Sequence, residues 1–309
     1  MRVNTRPGRL FVRSFALATA AMLTAAICLF DATASVAAPP TSTEGSQPDA
    51  SPAELAQALK ESRPLHARKE AMFAIHTKAM ETGDWTEFNR LANQLNRDVT
   101  GGKASAISPP PAGAAATQFK NLSYVQYPQL EWNWCGPASG QAIVRMWSLN
   151  IAPKAVPSQD TMHSAMGTGP GGANQPGTSI TGYRNGINWF LSAVYYGITT
   201  NLSQYGSTWF WIAVTQNIDA NWSAGVNTTE SGTTTYNGHF GGNAPAASGH
   251  YISAYGYANV FGPYLYFVDS AANATPSLGW SSQPTFVFET NAFFASFMNL
   301  NNTNRGLVW

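Results

Sequence analysis

Residues 134–140 of this 309-residue chain read WCGPASG, which sets a cysteine directly before a proline-containing helix start. Apolar side chains continue at helical spacing from Ala138 to Leu149, so we predict a helix that begins beside Cys135, with Pro137 at its first position. Backbone amides and the helix dipole at such a start favour a thiolate over a thiol. The pattern therefore predicts a reactive cysteine at the amino end of a helix.

A thiolate nucleophile needs a proton acceptor, and the sequence after the cysteine offers three histidines. His163 and His239 lie beside glycine-rich stretches and are predicted to be mobile loop residues. His250 instead opens a predicted strand, and Asp269 ends the next one. A hairpin of this length brings both ends to one edge of the sheet, where Asp269 can orient the imidazole. We therefore predict a triad of Cys135, His250 and Asp269.

An oxyanion donor is predicted shortly before the nucleophile. Gln129 precedes Cys135 by six residues, and its side-chain amide is the candidate partner of the Cys135 backbone N–H. Gln126 is the alternative. Each of these residues also has an ordinary structural explanation, since glutamines before helices are usually surface residues and aspartates after strands usually form turns. The catalytic interpretation depends on their combination and order.

The remaining elements point to an α+β fold. We predict helices over residues 183–194 and 209–221, and strands over 251–257 and 264–268 with a weaker one over 286–288. Residues 223–249 are rich in Gly, Asn and Thr and are predicted to form a loop or hairpin. A helix followed by antiparallel strands is typical of the α+β class.

The amino terminus has the pattern of an export signal. Arginines precede an apolar stretch over residues 15–30, and small residues follow before Pro39. We predict a signal peptide over residues 1–37 and a secreted protein, either extracellular or associated with the cell surface, with no integral membrane segment after signal removal. A retained membrane anchor is the alternative. Removal of the signal would leave Cys135 as the only thiol.

Two further segments precede the predicted catalytic domain, which covers residues 119–309. Residues 38–99 are predicted to be helical, in two or three short amphipathic helices, and residues 100–118 read as a Pro/Gly/Ala linker. The helical segment is predicted to be either an intramolecular pro-segment over the active site or a spacer that binds a partner or the cell surface. His66 and His76 within it are predicted to be solvated.

Composition excludes several classes of partner. The net charge is +1 and only 11% of residues are charged, so no basic surface for nucleic acid is expected. The cysteine and the scattered histidines have no zinc-ligand spacing, and the glycine pattern is not that of a nucleotide site. No cofactor and no metal are predicted, and the expected partner is a peptide or protein substrate.

Four stretches resemble the C39-like peptidases of the papain-like superfamily. They are YPQ at residues 127–129, WCGPAS at 134–139, GHYISAYGY at 249–257 and FVDS at 267–270, and the resemblance covers about residues 119–290. It implies a papain-like core, peptide-bond hydrolysis, and Gln129, Cys135, His250 and Asp269 in the roles given above.

The chain departs from that family in two places. Ser270 follows the aspartate where the family often has proline, and the stretch between Leu149 and His250 is unusually rich in loops. Two alternative functions remain. Papain-like folds also host transpeptidases and amidases, which use the same acyl-enzyme. An inactive relative that binds peptide or glycan is the other, suggested by tryptophans at positions 132, 134, 189, 209, 211, 222 and 280.

Overall fold

The structure, a computed structural model, describes residues 50–104, 106–107, 119–172, 175–192, 194–229, 249–274, 283–298 and 305–309. The predicted signal peptide lies outside the described residues, as do His239, Trp280 and most of the predicted linker. Within the described residues, no helix combines the length and the apolar character that crossing a membrane requires.

The described chain alternates helices and short strands. The helices are α1 (Pro52–Ala71), α2 (Phe73–Thr82), α3 (Thr86–Thr100), α4 (Cys135–Asn150), α5 (Gln159–Met166), α6 (Ile180–Leu191), α7 (Gly206–Asp219) and α8 (Thr290–Phe293). The strands are β1 (Phe119–Asn121), β2 (Ile198–Thr200), β3 (Ala224–Thr229), β4 (Gly249–Ala258), β5 (Tyr264–Asp269), β6 (Thr285–Glu289) and β7 (Gly306–Val308). The fold is α+β, as predicted.

One antiparallel sheet organises the described strands in the order β2-β7-β3-β4-β5-β6, and β1 pairs with β4 beyond the end of β3. The predicted strands are found, and the stretch predicted as loop or hairpin begins with β3, which pairs with β4. Helix α4 begins at Cys135 itself, so Pro137 is its third residue and not its first. Proline is still accommodated there, because amides throughout the first turn lack partners within the helix.

A buried polar contact fixes α4 against the middle of the sheet. Ser139, one turn after Cys135, has its hydroxyl 2.7 Å from that of Ser253 on β4 and 2.7 Å from that of Tyr183 on α6. The Ser253 hydroxyl also reaches the Ser139 carbonyl oxygen at 3.2 Å. These three buried hydroxyls satisfy one another, so the helix cannot slide along the strand without leaving a buried group unpaired.

The amino-terminal helices share the apolar core of the rest of the fold. Leu65 of α1 and Phe88 of α3 belong to the same buried cluster as Trp147 of α4 and Trp222. The Trp222 indole N–H donates to Asn96 Oδ1 at 2.6 Å, and Asn96 Nδ2 donates to the Ala220 carbonyl at 3.1 Å. Helices α1–α3 are therefore a packed layer of the described fold.

Helix α2 lies at the end of β4 far from His250. His76 of α2 donates from Nε2 to Asp219 Oδ2 at 2.7 Å, and the Tyr257 hydroxyl donates to the same carboxylate at 2.9 Å. Tyr257 stands seven residues along β4 from His250, a separation of roughly 24 Å in an extended strand. Helix α2 thus contacts the end of β4 opposite the candidate catalytic histidine, whereas α1 packs on α6 and β2.

The prediction that His66 and His76 are solvated is wrong. His76 is 1% exposed, and His66 is largely buried with its ring stacked 4.7 Å from the Trp309 ring. Lys69 is also buried, with its ammonium group 4.3 Å from the centre of the Trp222 ring. Local helical spacing cannot reveal these faces as covered, because the covering residues come from distant parts of the chain.

Burial of His66 makes stability depend on pH. Desolvation, followed by the charges of Lys69 and Arg184, lowers the pKa of His66 to about 3. Because the folded state keeps His66 neutral while the unfolded chain takes up a proton below about pH 6.5, acid favours unfolding between these values. Lowering the pH from 7 to 5 is therefore expected to reduce the free energy of unfolding by about 2 kcal/mol through this residue.

Urea unfolding of the parent and of His66→Phe at both pH values measures this contribution. Phenylalanine keeps a ring to stack on Trp309 and cannot titrate, so the variant should lose less stability on acidification. An equal loss in both proteins would contradict the assignment of the acid sensitivity to His66.

Candidate active site

Cys135 occupies the first turn of α4, as the sequence predicts, and its side chain is 2% exposed. Gly136 behind it is tightly packed, since a β-carbon at that position would collide with the Thr178 side chain. The first turn of α4 is therefore packed between the sheet and the segment before α6. A substrate can reach the sulfur only if part of this covering moves.

His250 and Asp269 form a buried pair at one end of the sheet. His250 Nε2 lies 2.7 Å from Asp269 Oδ1, and both side chains are fully buried. A carboxylate only accepts hydrogen bonds, so the hydrogen lies on Nε2 and the neutral imidazole carries its lone pair on Nδ1. The same carboxylate oxygen accepts the Ala271 backbone N–H at 2.8 Å, which fixes its orientation.

The loop before Cys135 is tied to the segment that carries Asp269. The Gln129 backbone N–H donates to the Ser270 carbonyl at 2.8 Å. Gln126 Nε2 donates to the carbonyls of Asp269 at 3.2 Å and Ala272 at 2.9 Å. The amide of Gln126 thus holds the aspartate loop, a structural role that residue type and spacing could not distinguish from oxyanion binding.

The Gln129 side chain is buried and directed at the loop itself. Its Nε2 donates to the carbonyls of Glu131 at 2.9 Å and Trp132 at 3.2 Å, and its Oε1 accepts the Ser270 hydroxyl at 3.4 Å. An amide nitrogen has two hydrogens. For Gln129 to act as an oxyanion donor, at least one of these two bonds must open.

Two tyrosines connect the first turn of α4 to the start of β4. Tyr183 and Tyr251 stack at 4.2 Å between ring centres, and the Tyr251 hydroxyl donates to the Thr178 carbonyl at 3.2 Å. Burial raises the pKa of both phenols, and the negative charge of a Cys135 thiolate contributes in the same direction. Cys135 belongs to the same buried cluster as both tyrosines, and His250 directly precedes Tyr251 on β4.

Strand alternation divides this end of the sheet between two faces. Tyr251 and Ser253 face α4 and α6, whereas His250 shares the other face with Ile252, whose strand partner is Asp269. His250 is the second residue of β4, so its imidazole lies at the rim of the sheet. The proposed mechanism requires the thiol of Cys135 and the imidazole of His250 to meet around that rim.

His163 is not a loop residue, contrary to the prediction. It lies in α5, its ring stacks on Trp134 at 4.6 Å, and its Nδ1 is 3.3 Å from the Thr168 carbonyl oxygen. The sequence places it near a glycine-rich stretch, but α5 is capped by Ser158 and ends at Met166, and Gly167, the first glycine of that stretch, is its carboxyl-terminal cap. His163 therefore packs against Trp134, the residue beside Cys135, and its substitution is a matched control for that of His250.

The described residues contain no group of three or more His, Cys, Asp or Glu side chains arranged to hold a metal ion.

An antiparallel sheet with a cysteine-bearing helix and a buried histidine–aspartate pair is compatible with a papain-like core. The sequence model of the Peptidase_C39 like family matches residues 121–291, which is more than half of the chain, so the chain belongs to this family. Membership suggests a cysteine peptidase-like protein. No curated protein matches the chain significantly.

Proposed function

We propose that the chain is an exported cysteine peptidase in which Cys135 is the nucleophile, His250 its base and Asp269 the residue that orients the base. The observation that carries this proposal is the buried contact of 2.7 Å between His250 Nε2 and Asp269 Oδ1. It fixes the tautomer in which Nδ1 accepts a proton. The residue after His250, Tyr251, donates to the carbonyl of Thr178, and the Thr178 side chain packs on Gly136 in the first turn of α4.

The proposed reaction proceeds through an acyl-enzyme. His250 Nδ1 takes the thiol proton, and the sulfur of Cys135 attacks the carbonyl carbon of the peptide bond. The Cys135 backbone N–H, with Gln129 once its amide turns, stabilises the oxyanion. Collapse of the tetrahedral intermediate breaks the C–N bond, and the imidazolium donates its proton to the departing amine. Water, deprotonated by the same imidazole, then releases the acid and restores the thiol.

Export is part of the proposal and is supported by the pattern of residues 1–37. A chain that works outside the cell with one thiol and no partner cysteine needs a reason to keep that thiol reduced, and catalysis supplies one. The proposed substrates are peptides or proteins encountered after secretion.

Peptide cleavage and its chemistry can be tested together. The purified protein is incubated with a defined peptide library in heavy-oxygen water, with and without an added amine such as glycinamide, and products are read by mass spectrometry. Hydrolysis places heavy oxygen in each new carboxyl group, whereas transpeptidation gives products joined to the amine. Absence of any product under all conditions would contradict the proposal.

A binding module without catalysis is the second candidate, and two observations favour it. Cys135 is 2% exposed, and both side-chain N–H groups of Gln129 are engaged with backbone carbonyls. A protein that bound peptides without cleaving them would need neither an open thiol nor an available oxyanion donor. Saturable binding of library peptides with no turnover would support it.

Two substitutions of Asp269 distinguish its role in orienting His250 from the effect of its negative charge. Asp269→Asn keeps an oxygen that accepts from His250 Nε2 and from the Ala271 N–H, whereas Asp269→Ala removes it. We expect kcat/KM to fall by about tenfold to 100-fold in the asparagine variant and by a further factor of about ten in the alanine variant, with KM little changed. Equal activity in Asp269→Ala and the parent would exclude a role for this carboxylate.

A further inference from the structure

A groove on the surface between α1 and α6 plays no part in the proposed reaction. Its volume is about 870 Å³, and Glu61, Arg184, Asn185, Trp189 and Val194 are among its lining residues. Residues 184, 185, 188 and 189 share one side of α6, and Glu61 comes from α1. The groove therefore exists only when the amino-terminal layer and the sheet-bearing part of the chain are folded together.

The groove presents an apolar platform to solvent. Trp189 is 74% exposed, although it is the largest side-chain type and usually contributes to a core. Val194, 48% exposed, lies along the same groove. An indole face that stays open beside polar groups is a surface for stacking the apolar face of a ligand.

The polar groups of the groove are balanced in charge and fixed in place. Arg184 Nη1 donates to Glu61 Oε2 at 2.7 Å and to Asn185 Oδ1 at 2.7 Å, and Arg184 Nε donates to the Tyr196 carbonyl at 3.1 Å. The Arg184 side chain is 4% exposed, whereas that of Glu61 is 41% exposed. The pair carries no net charge, so the groove selects neither an anion nor a cation.

One donor at this site has no acceptor. Arg184 Nη2 is buried and makes no hydrogen bond within the described part of the chain. Buried N–H groups are normally paired, so a ligand oxygen would satisfy this one once the side chains over it move aside. The exposed oxygens of Glu61 can in turn accept hydrogen bonds from ligand hydroxyls.

We propose that this groove binds a neutral oligosaccharide, with one sugar ring stacked on Trp189 and its hydroxyls bonded to the Arg184–Glu61 pair. A pyranose ring offers an apolar C–H face and a rim of hydroxyls that both donate and accept, which matches an indole beside a neutral ion pair. The site would hold the protein at a polysaccharide surface, independently of peptide cleavage.

Calorimetric titration of the full chain with cellotetraose and with chitotetraose tests the proposal. We expect saturable binding of at least one sugar, with affinity reduced about tenfold or more in Trp189→Ala and clearly reduced in Glu61→Gln. Phe261→Ala is the matched control, because Phe261 is 84% exposed but lies far along the chain in the β4–β5 turn, and its affinity should equal that of the parent.

Three results would overturn the proposal. These are no saturable binding of either sugar, equal affinity in Trp189→Ala and the parent, or a dimer in solution that Trp189→Ala dissociates, since the groove would then be filled by a second copy. Peptide cleavage by Trp189→Ala should be unchanged, so failure of the sugar site and failure of the peptidase are distinguishable.

Discussion

Replacement of Cys135 by alanine is expected to abolish peptide cleavage, with a loss of about 10⁴-fold or more, while the protein stays folded. The sulfur supplies the nucleophile that forms the acyl-enzyme in the proposed reaction. Removing one buried sulfur atom leaves a small cavity, whose cost of about 1–2 kcal/mol is within the usual stability of a domain.

The measurement is cleavage of whichever library peptide the parent cuts fastest, with thermal unfolding recorded for the same samples. Cys135→Ser is the matched control for packing, because it keeps the shape of the side chain but has a hydroxyl that the imidazole ionises poorly. Both variants should be inactive and folded. Undiminished peptide cleavage by a folded Cys135→Ala variant would contradict the proposed mechanism.

Removal of the amino-terminal layer, helices α1–α3, is expected to prevent folding. A chain that begins at residue 106 is expected to be unfolded or aggregated, because it exposes Trp222 and removes His76 and Asn96 from their buried partners. Each buried polar group that loses a partner costs about 1–3 kcal/mol, and lost apolar burial adds to this. The sum is comparable with the whole stability of a typical domain.

Cleavage of the backbone without removal of the amino-terminal part provides the control. A protease site inserted among residues 108–118 allows the chain to be cut between the two parts after it has folded. We expect the two parts to remain together in gel filtration, because they share one buried core, and to keep the activity of the uncut chain. A truncated chain that folds and gains activity would instead support the interpretation of this segment as an inhibitory pro-segment.

Local patterns in the sequence were sufficient to predict the helix and the strands that carry the candidate catalytic residues. The helix after Cys135 and the strands that carry His250 and Asp269 have clear periodicity and turn residues at their ends, and the structure contains each of them. The three-residue strands β1, β2 and β7 could not be predicted, because a strand of that length has no periodicity to detect and exists only through its partners.

Long-range packing explains the remaining differences. His76 has an unremarkable helical context, and only the fold brings Asp219 and Tyr257 to it. The orientation of the Gln129 amide is likewise decided by the carbonyls of its own loop and by Ser270, which stands where the family often has proline. Such contacts depend on tertiary structure, so residue type and spacing predict the candidates but not their bonding.

The proposed mechanism requires that His250 activates Cys135, and the pH dependence of Cys135 alkylation tests this requirement. A chain that begins at Ala38 has Cys135 as its single thiol, so iodoacetamide reports on that residue alone. The parent is compared with His250→Gln and with His163→Gln, which removes the histidine stacked beside Cys135 on Trp134.

We predict rapid alkylation near pH 6 in the parent and in His163→Gln, and an inflection that moves to about 8.5, the value for a free cysteine, in His250→Gln. The same pH profile in the parent and in His250→Gln would show that the imidazole does not activate the thiol, and would contradict the account.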